Sequence, residues 1–323
     1  MPKMYPPWTT PEDAAKILAH GGIVAIPTET VYGLAGNAYD SKALAKIFAA
    51  KERPSFDPLI VHISKMESLA DIVTEVPEAA RKLAEAYWPG PMTLVLPKKD
   101  CIPDLATSAL PTVAVRFPSH PVAQKIIDLA GVPLAAPSAN LFQHVSPTTA
   151  MHVAEQLRDR IDGIVDGGPC SVGVESTIVA FPGGKPVILR PGGITPAMIR
   201  KVAGEVTLHQ ATSHPGKPMQ APGMMDKHYR PRVPLYYGQV PAGAKLPART
   251  VRIAFGNTQG AVPPTLNLSV TGDTTEAAEH LYAYMRALDT PENELILVDP
   301  IPDESVGIAC NDRLRRASLR SLP

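Results

Sequence analysis

Through roughly its first 200 residues the chain alternates short apolar runs with helical apolar faces, and proline, glycine or a short polar turn closes each run. Ile23 to Ile26 stops at Pro27, and Leu59 to Ile63, Thr93 to Leu96, Val113 to Phe117, Val132 to Ala136, Ser176 to Ala180 and Val187 to Leu189 repeat the pattern. Runs of this length read as buried strands. Between them the spacing predicts helices. One runs from Pro11 to His20, with Thr9 or Thr10 as N-cap and Gly21-Gly22 as its end. Others cover Ser41 to Ala50, where Leu44, Ile47 and Phe48 share a face, then Glu78 to Tyr87, Val122 to Ala130 and Pro196 to Val202. Strands and helices mixed in this way build an α/β layer domain.

A chain of 323 residues has room for two such units. Residues 208 to 234 lack apolar periodicity and are rich in Pro, Gly, His and Met, which marks a linker. After it, Val251 to Phe255, Thr265 to Val270 and Leu295 to Asp299 read as strands and Thr275 to Leu288 as a helix. The expected division is therefore 1–207, a linker at 208–234, and a smaller α/β unit at 235–323. The 36 prolines are spread along the chain and imply many rigid turns.

Thirty-one basic and 31 acidic side chains cancel, which argues against a protein whose main work is neutralising a nucleic-acid backbone. Cys101, Cys170 and Cys310 are far apart and form neither a disulfide framework nor CxxC metal spacing. No stretch approaches the ~20 apolar residues of a membrane span, so a cytoplasmic location is expected.

Several loops at strand boundaries carry chemistry. Pro27-Thr28-Glu29-Thr30-Val31-Tyr32-Gly33-Leu34 reads as a strand-to-helix turn offering hydroxyls, a carboxylate and a glycine. Lys51-Glu52-Arg53 puts two cations one residue apart, at a helix end where they can grip phosphate oxygens or simply favour the helix C-terminus. Ala135-Ala136-Pro137-Ser138-Ala139-Asn140 lets a ligand approach the backbone beside a hydroxyl and an amide. Arg116 closes an apolar strand and needs an anionic partner, either a protein carboxylate or a substrate. Gly173 to Thr177 and Leu189 to Gly192 complete the set.

Together, PTETVYGL, KERPSFDPLIVHI, WPGPMTLVL, TVAVRFPSHP, APSAN, GVESTI and ILRPGGIT resemble the YrdC-like threonylcarbamoyl-AMP synthases, in the long form with a C-terminal domain. The resemblance implies a YrdC-like twisted mixed sheet followed by a smaller Rossmann-like domain. It also implies a nucleotidyltransferase that makes threonylcarbamoyl-AMP and pyrophosphate from L-threonine, bicarbonate and ATP with Mg²⁺, for threonylcarbamoyladenosine in tRNA. The family's Lys-x-Arg and Ser-x-Asn signature corresponds to Lys51, Arg53, Ser138 and Asn140 as catalytic residues.

By the same carry-over, Thr30, His62, Arg116, Ala136 and Ser176 would bind threonine. Lys51, Arg53, Asp57, Thr112, Ser138, Asn140, Ser146 and Arg190 would bind ATP. No protein ligand to the metal is expected, the ion being held by ATP phosphates. A downstream threonylcarbamoyl-transferase complex is the implied partner, and direct contact with tRNA would be weak. The linker's Ala221 to Pro231 resembles a family segment that folds over the cleft as a lid, with Asp226 in place of that pattern's first tyrosine. Arg313, Arg315, Arg316 and Arg320 read as a solvated helix face. The competing readings are a carbamoyl-transfer enzyme of the hydrogenase-maturation type, which is larger and carries zinc elements, and a non-catalytic RNA-binding module.

Overall fold

The structure is a computed structural model that describes residues 8–209, 219, 221–224, 227–257 and 262–322. Fourteen strands and ten α-helices follow in chain order among these residues. The first part holds α1 (Pro11–Ala19), β1 (Val24–Ile26), β2 (Gly33–Asn37), α2 (Ser41–Lys51), β3 (Ile60–His62), α3 (Leu69–Ile72), α4 (Glu78–Tyr87), β4 (Met92–Pro97) and α5 (Asp104–Thr107). It continues with β5 (Thr112–Arg116), α6 (Pro121–Ala130), β6 (Leu134–Ala135), α7 (Ala150–Leu157), β7 (Gly163–Ile164), β8 (Thr177–Ala180), β9 (Val187–Arg190), α8 (Pro196–Ala203) and β10 (Thr207–Leu208). The second part holds β11 (Leu235–Tyr237), β12 (Thr250–Ala254), β13 (Leu266–Asn267), α9 (Thr274–Ala287), β14 (Leu295–Val298) and α10 (Gly307–Ala317).

The helices begin where their caps say they should. Thr10 accepts from the Asp13 N–H with Pro11 in the first turn, and Asp40 accepts from the Lys42 N–H to open α2. The strands form a ten-stranded mixed sheet of order β10-β9-β8-β4-β5-β3-β6-β2-β1-β7 and a four-stranded parallel sheet of order β11-β14-β12-β13. The PTETVYGL loop does not lead into a helix. It turns back so that β2 pairs antiparallel with β1, Ile26 opposite Gly33. Gly33 has no side chain to set a helical or strand period, which is why the pairing is hard to see in the sequence.

Strand periodicity decides which side chains become functional. Val61, Leu94, Leu96, Val113 and Val115 enter one core with Leu44, Ile47 and Phe48 of α2 and Leu83 of α4. The intervening positions Ile60, Val95 and Ala114 face the other side, where Ala221 and Met224 of the linker pack on them. His62, Thr93 and Arg116 are in phase with that second set, so the residues able to do chemistry open onto the face the linker crosses. Another part of the large sheet is covered by α1 and α6 through Leu18, Ile126 and Ile127. None of the helices among the described residues is long and apolar enough to cross a membrane.

Candidate active site

One end of the cleft is assembled by adjacent strands. In register, His62 lies beside Arg116 and Arg116 beside Thr93, while Ser176 immediately precedes β8, whose Thr177 pairs with Met92. Thr93 and Ser176 share a hydroxyl hydrogen bond of 2.7 Å. Arg116 Nη1 donates to Thr30 Oγ1 at 2.8 Å, and its Nη2 lies 2.7 Å from Glu29 Oε1. Thr28 folds the loop on itself by donating to the Val31 carbonyl at 2.6 Å and accepting from the Thr30 N–H at 3.2 Å. A Cβ at Gly33 would stand 3.1 Å from the Ala136 Cβ, so glycine lets the two loops close on each other. Burial, aided by the nearby Arg116 charge, pushes His62 down to about 3, leaving a neutral ring.

The other end is cationic. Arg53 donates to the Asp57 and Pro58 carbonyls at 3.0 and 2.8 Å, and pairs with the Asp57 carboxylate at 2.9 Å. Lys51, fully buried, donates from Nζ to the Ser138 carbonyl and, at 2.6 Å, to the Asn140 carbonyl. Burial, and then the Arg53 charge, pushes Lys51 well below the usual ammonium range. Asn140 in turn donates to the Leu141 and His144 carbonyls at 2.8 and 2.9 Å. These two signature residues therefore brace the backbone that presents Ser138. Arg190 reaches Ser176 of the first end, donating to its carbonyl at 2.9 Å and its hydroxyl at 3.2 Å, and it also donates to the Pro222 carbonyl at 3.2 Å.

Thr30, Arg53, His62, Arg116, Ala136, Ser138, Ser176 and Arg190 all line one hollow, as expected of residues meant to share a ligand. Lys51, Asp57, Asn140 and Ser146 lie behind its wall, buried at 1%, 0%, 1% and 0% exposure. Thr112 opens β5 four residues before Arg116, about 13 Å away by strand rise, and is not on this wall.

Comparison with known proteins decides the family. A family model described as "Telomere recombination" matches residues 16–192, and one described as "Threonylcarbamoyl-AMP synthase, C-terminal domain" matches residues 194–318. The threonylcarbamoyl-AMP synthase of Pyrococcus abyssi is 41% identical, over 94% of this chain and 93% of that one; the synthase of Bacillus subtilis is 40% identical, over 94% and 92%. The chain belongs to the threonylcarbamoyl-AMP synthase family. The crystal structure of the P. abyssi protein complexed with L-threonine superposes with a TM-score of 0.87 at 38% identity, covering 95% of this chain and 94% of that one.

In this member of the threonylcarbamoyl-AMP synthase family the linker completes the cleft and the second domain packs behind it, which sequence reasoning only partly anticipated. Pro222, Gly223, His228 and Tyr229 join its wall. The Asp226 position lies outside the described residues. Tyr229 stacks on Tyr282 with ring centroids 5.8 Å apart, and the Arg313 guanidinium stands 5.1 Å from the Tyr229 ring centre.

Arg313 corrects the solvated-face expectation for the last helix. It is 0% exposed, its Nε donates to Glu175 Oε2 at 2.8 Å, and its Nη2 donates to the Pro191 carbonyl at 2.9 Å. Glu175 and Pro191 belong to the first domain, so a local reading of α10 had no access to them. Arg316 departs from that expectation too, being partly buried and paired with Asp312 at 2.9 Å, whereas Arg315 and, beyond the end of the helix, Arg320 are exposed.

Glu175 was visible only as part of a motif, yet it is a hub. Ser146 donates to one of its oxygens at 2.6 Å, and Tyr282 to the other at 2.9 Å. Burial pushes Glu175 up, but the charges of Arg313 and Arg190 and the hydrogen bonds from Ser146 and Arg313 outweigh it, holding the carboxyl down at about 2.

Proposed function

We propose that this enzyme joins L-threonine, bicarbonate and ATP into threonylcarbamoyl-AMP, releasing pyrophosphate, and that the product is the donor for the threonylcarbamoyl group of modified adenosine in tRNA. The observation that carries the reading is one hollow that gathers Arg116 with Thr30, neutral His62 and Ser176 and brings Arg53 and Arg190 onto the same wall. One end suits a hydroxy amino acid and the other a polyphosphate.

The chemistry is an anion meeting an anion. The threonine amine takes up bicarbonate with loss of water to give a carbamate. A carbamate oxygen then attacks the α-phosphorus, forming the P–O bond of the mixed anhydride as the bond to the bridging oxygen of the β-phosphate breaks and pyrophosphate leaves. No protein nucleophile is needed. The residues contribute orientation and positive potential: Arg116 holds the amino-acid carboxylate, while Arg53, Arg190 and the Ser138 loop braced by Lys51 and Asn140 hold the nucleotide.

Mg²⁺ would accompany the triphosphate and neutralise its oxygens. Glu29, Asp57 and Glu175 are each paired to an arginine, so the donor set fits an ion held by phosphate and water oxygens.

The linker segment around Pro222 and Tyr229 acts as a lid in this reading, since its carbonyl at Pro222 is held by the same Arg190 that would meet phosphate. The consumer of the product is a transferase complex acting on tRNA, with direct tRNA contact by this chain weak at most. Pyrophosphate release from ATP, followed while each substrate is omitted in turn, tests the proposal. Release should require both threonine and bicarbonate, and release without either would refute it.

A further inference from the structure

Glu29 is buried at 6% exposure behind Arg116, which is itself 4% exposed. Arg116 lines the cleft and Glu29 does not. The Nη2 to Oε1 separation is 2.7 Å, yet neither oxygen of Glu29 and neither Nε nor Nη2 of Arg116 makes a hydrogen bond of good geometry to another described group. The pair is buried and each charge depends on the other, so removing either would leave an uncompensated charge. The only directed hydrogen bond of the Arg116 guanidinium among the described residues goes to Thr30 Oγ1 at 2.8 Å.

Arg116 has Thr30 on one side and a carboxylate at its back, so its guanidinium is held in one orientation on the wall of the cleft. Resting on the function proposed above, we propose that Glu29 positions Arg116 for the carboxylate of the amino acid by fixing the guanidinium from behind. Glu29 is a positioning residue and does not touch the reacting atoms.

The test uses the full-length Glu29→Gln and Glu29→Asp variants. Glu29→Gln should raise the threonine KM by about tenfold, the scale of one charge-assisted contact, with kcat and the ATP KM little changed. Glu29→Asp, which keeps the charge, should fall between that variant and the wild type, and it carries the same readouts if the glutamine variant does not fold. On an Arg116→Lys background the Glu29→Gln change should add little, because the two act through one contact.

Unchanged threonine KM or full additivity with Arg116→Lys would each overturn the assignment. Calorimetric titration of threonine alone reads the same difference without turnover. Failure of the wild type to make product would therefore count against the proposed reaction, and equal threonine affinity in wild type and variant against the role of Glu29.

Discussion

Arg313 Nε lies 2.8 Å from Glu175 Oε2, joining residues 138 positions apart and tying the second domain to the wall of the cleft. Both side chains are buried, so neither charge has water to fall back on. Arg313→Met should therefore destabilise the protein by about 3–5 kcal/mol by leaving Glu175 buried without its cation. Pairing it with Glu175→Gln should recover a large part of that loss. Denaturant midpoints of the two single variants and the double variant measure the coupling, and strictly additive losses would show that the ion pair is not what joins the halves.

Acid should weaken the fold, and the sign follows from three groups. Burial pushes His62 and His228 down to about 3 from the usual value of 6.5, so below that value the unfolded chain takes up protons that the folded chain refuses. Stability is lost as pH falls from about 6.5 toward 3. Glu175, held at about 2 against a usual 4.5, adds a further loss as pH falls through that lower window. Thermal unfolding between pH 7 and 5 should show a falling Tm, with a smaller fall in His62→Gln; an identical slope in that variant would remove His62 from the account.

Gly223 sits at φ 76°, and a Cβ there would lie 2.6 Å from the Tyr229 hydroxyl and 3.1 Å from Arg190 Nη1. Gly223→Ala should thus strain the turn and push the linker off Arg190. The expected result is a higher ATP KM with a Tm within a few degrees of wild type. A variant with wild-type nucleotide kinetics would show that this part of the linker is a passive tether.

Lys51 donates to two carbonyls of the loop that carries Ser138, and Arg53 bonds the carbonyls of Asp57 and Pro58. Lys51→Ala or Arg53→Ala should each lose about 2–4 kcal/mol of transition-state stabilisation, roughly 30-fold to 10³-fold in kcat, by comparison with loss of one preorganised donor. The structure adds a distinction between them. Arg53 lines the hollow and Lys51 does not, so ATP should be bound more weakly by Arg53→Ala than by Lys51→Ala. Equilibrium titration with ATP compares the two directly.

How much of this was legible in the sequence depended on distance along the chain. A helix cap such as Thr10 acts over three residues, and it can be read directly. The apolar runs around Val61, Leu94 and Val115 also announced themselves, because strands buried against helices need them. The resemblance supplied Thr30, Arg53, Arg116 and Arg190 before their shared hollow was visible.

What stayed hidden was set by pairing between distant residues. Strand β2 contains two glycines and no large aliphatic except Leu34, so its hairpin with β1 left no period to detect. Arg313 looked like one more arginine on a basic helix until Glu175 was placed beside it. Glu29 was read only as a loop carboxylate, since nothing local says that Arg116, 87 positions later, would be its partner.

The central claim is that converging cations allow a carbamate to attack the α-phosphate of ATP. Incubating the enzyme with threonine, ATP and ¹³C-bicarbonate and weighing the nucleotide product tests it most directly. The account predicts threonylcarbamoyl-AMP carrying one ¹³C, formed by the wild type and strongly reduced in Arg53→Ala. Pyrophosphate appearing without labelled anhydride, or equal label in the variant, would contradict it.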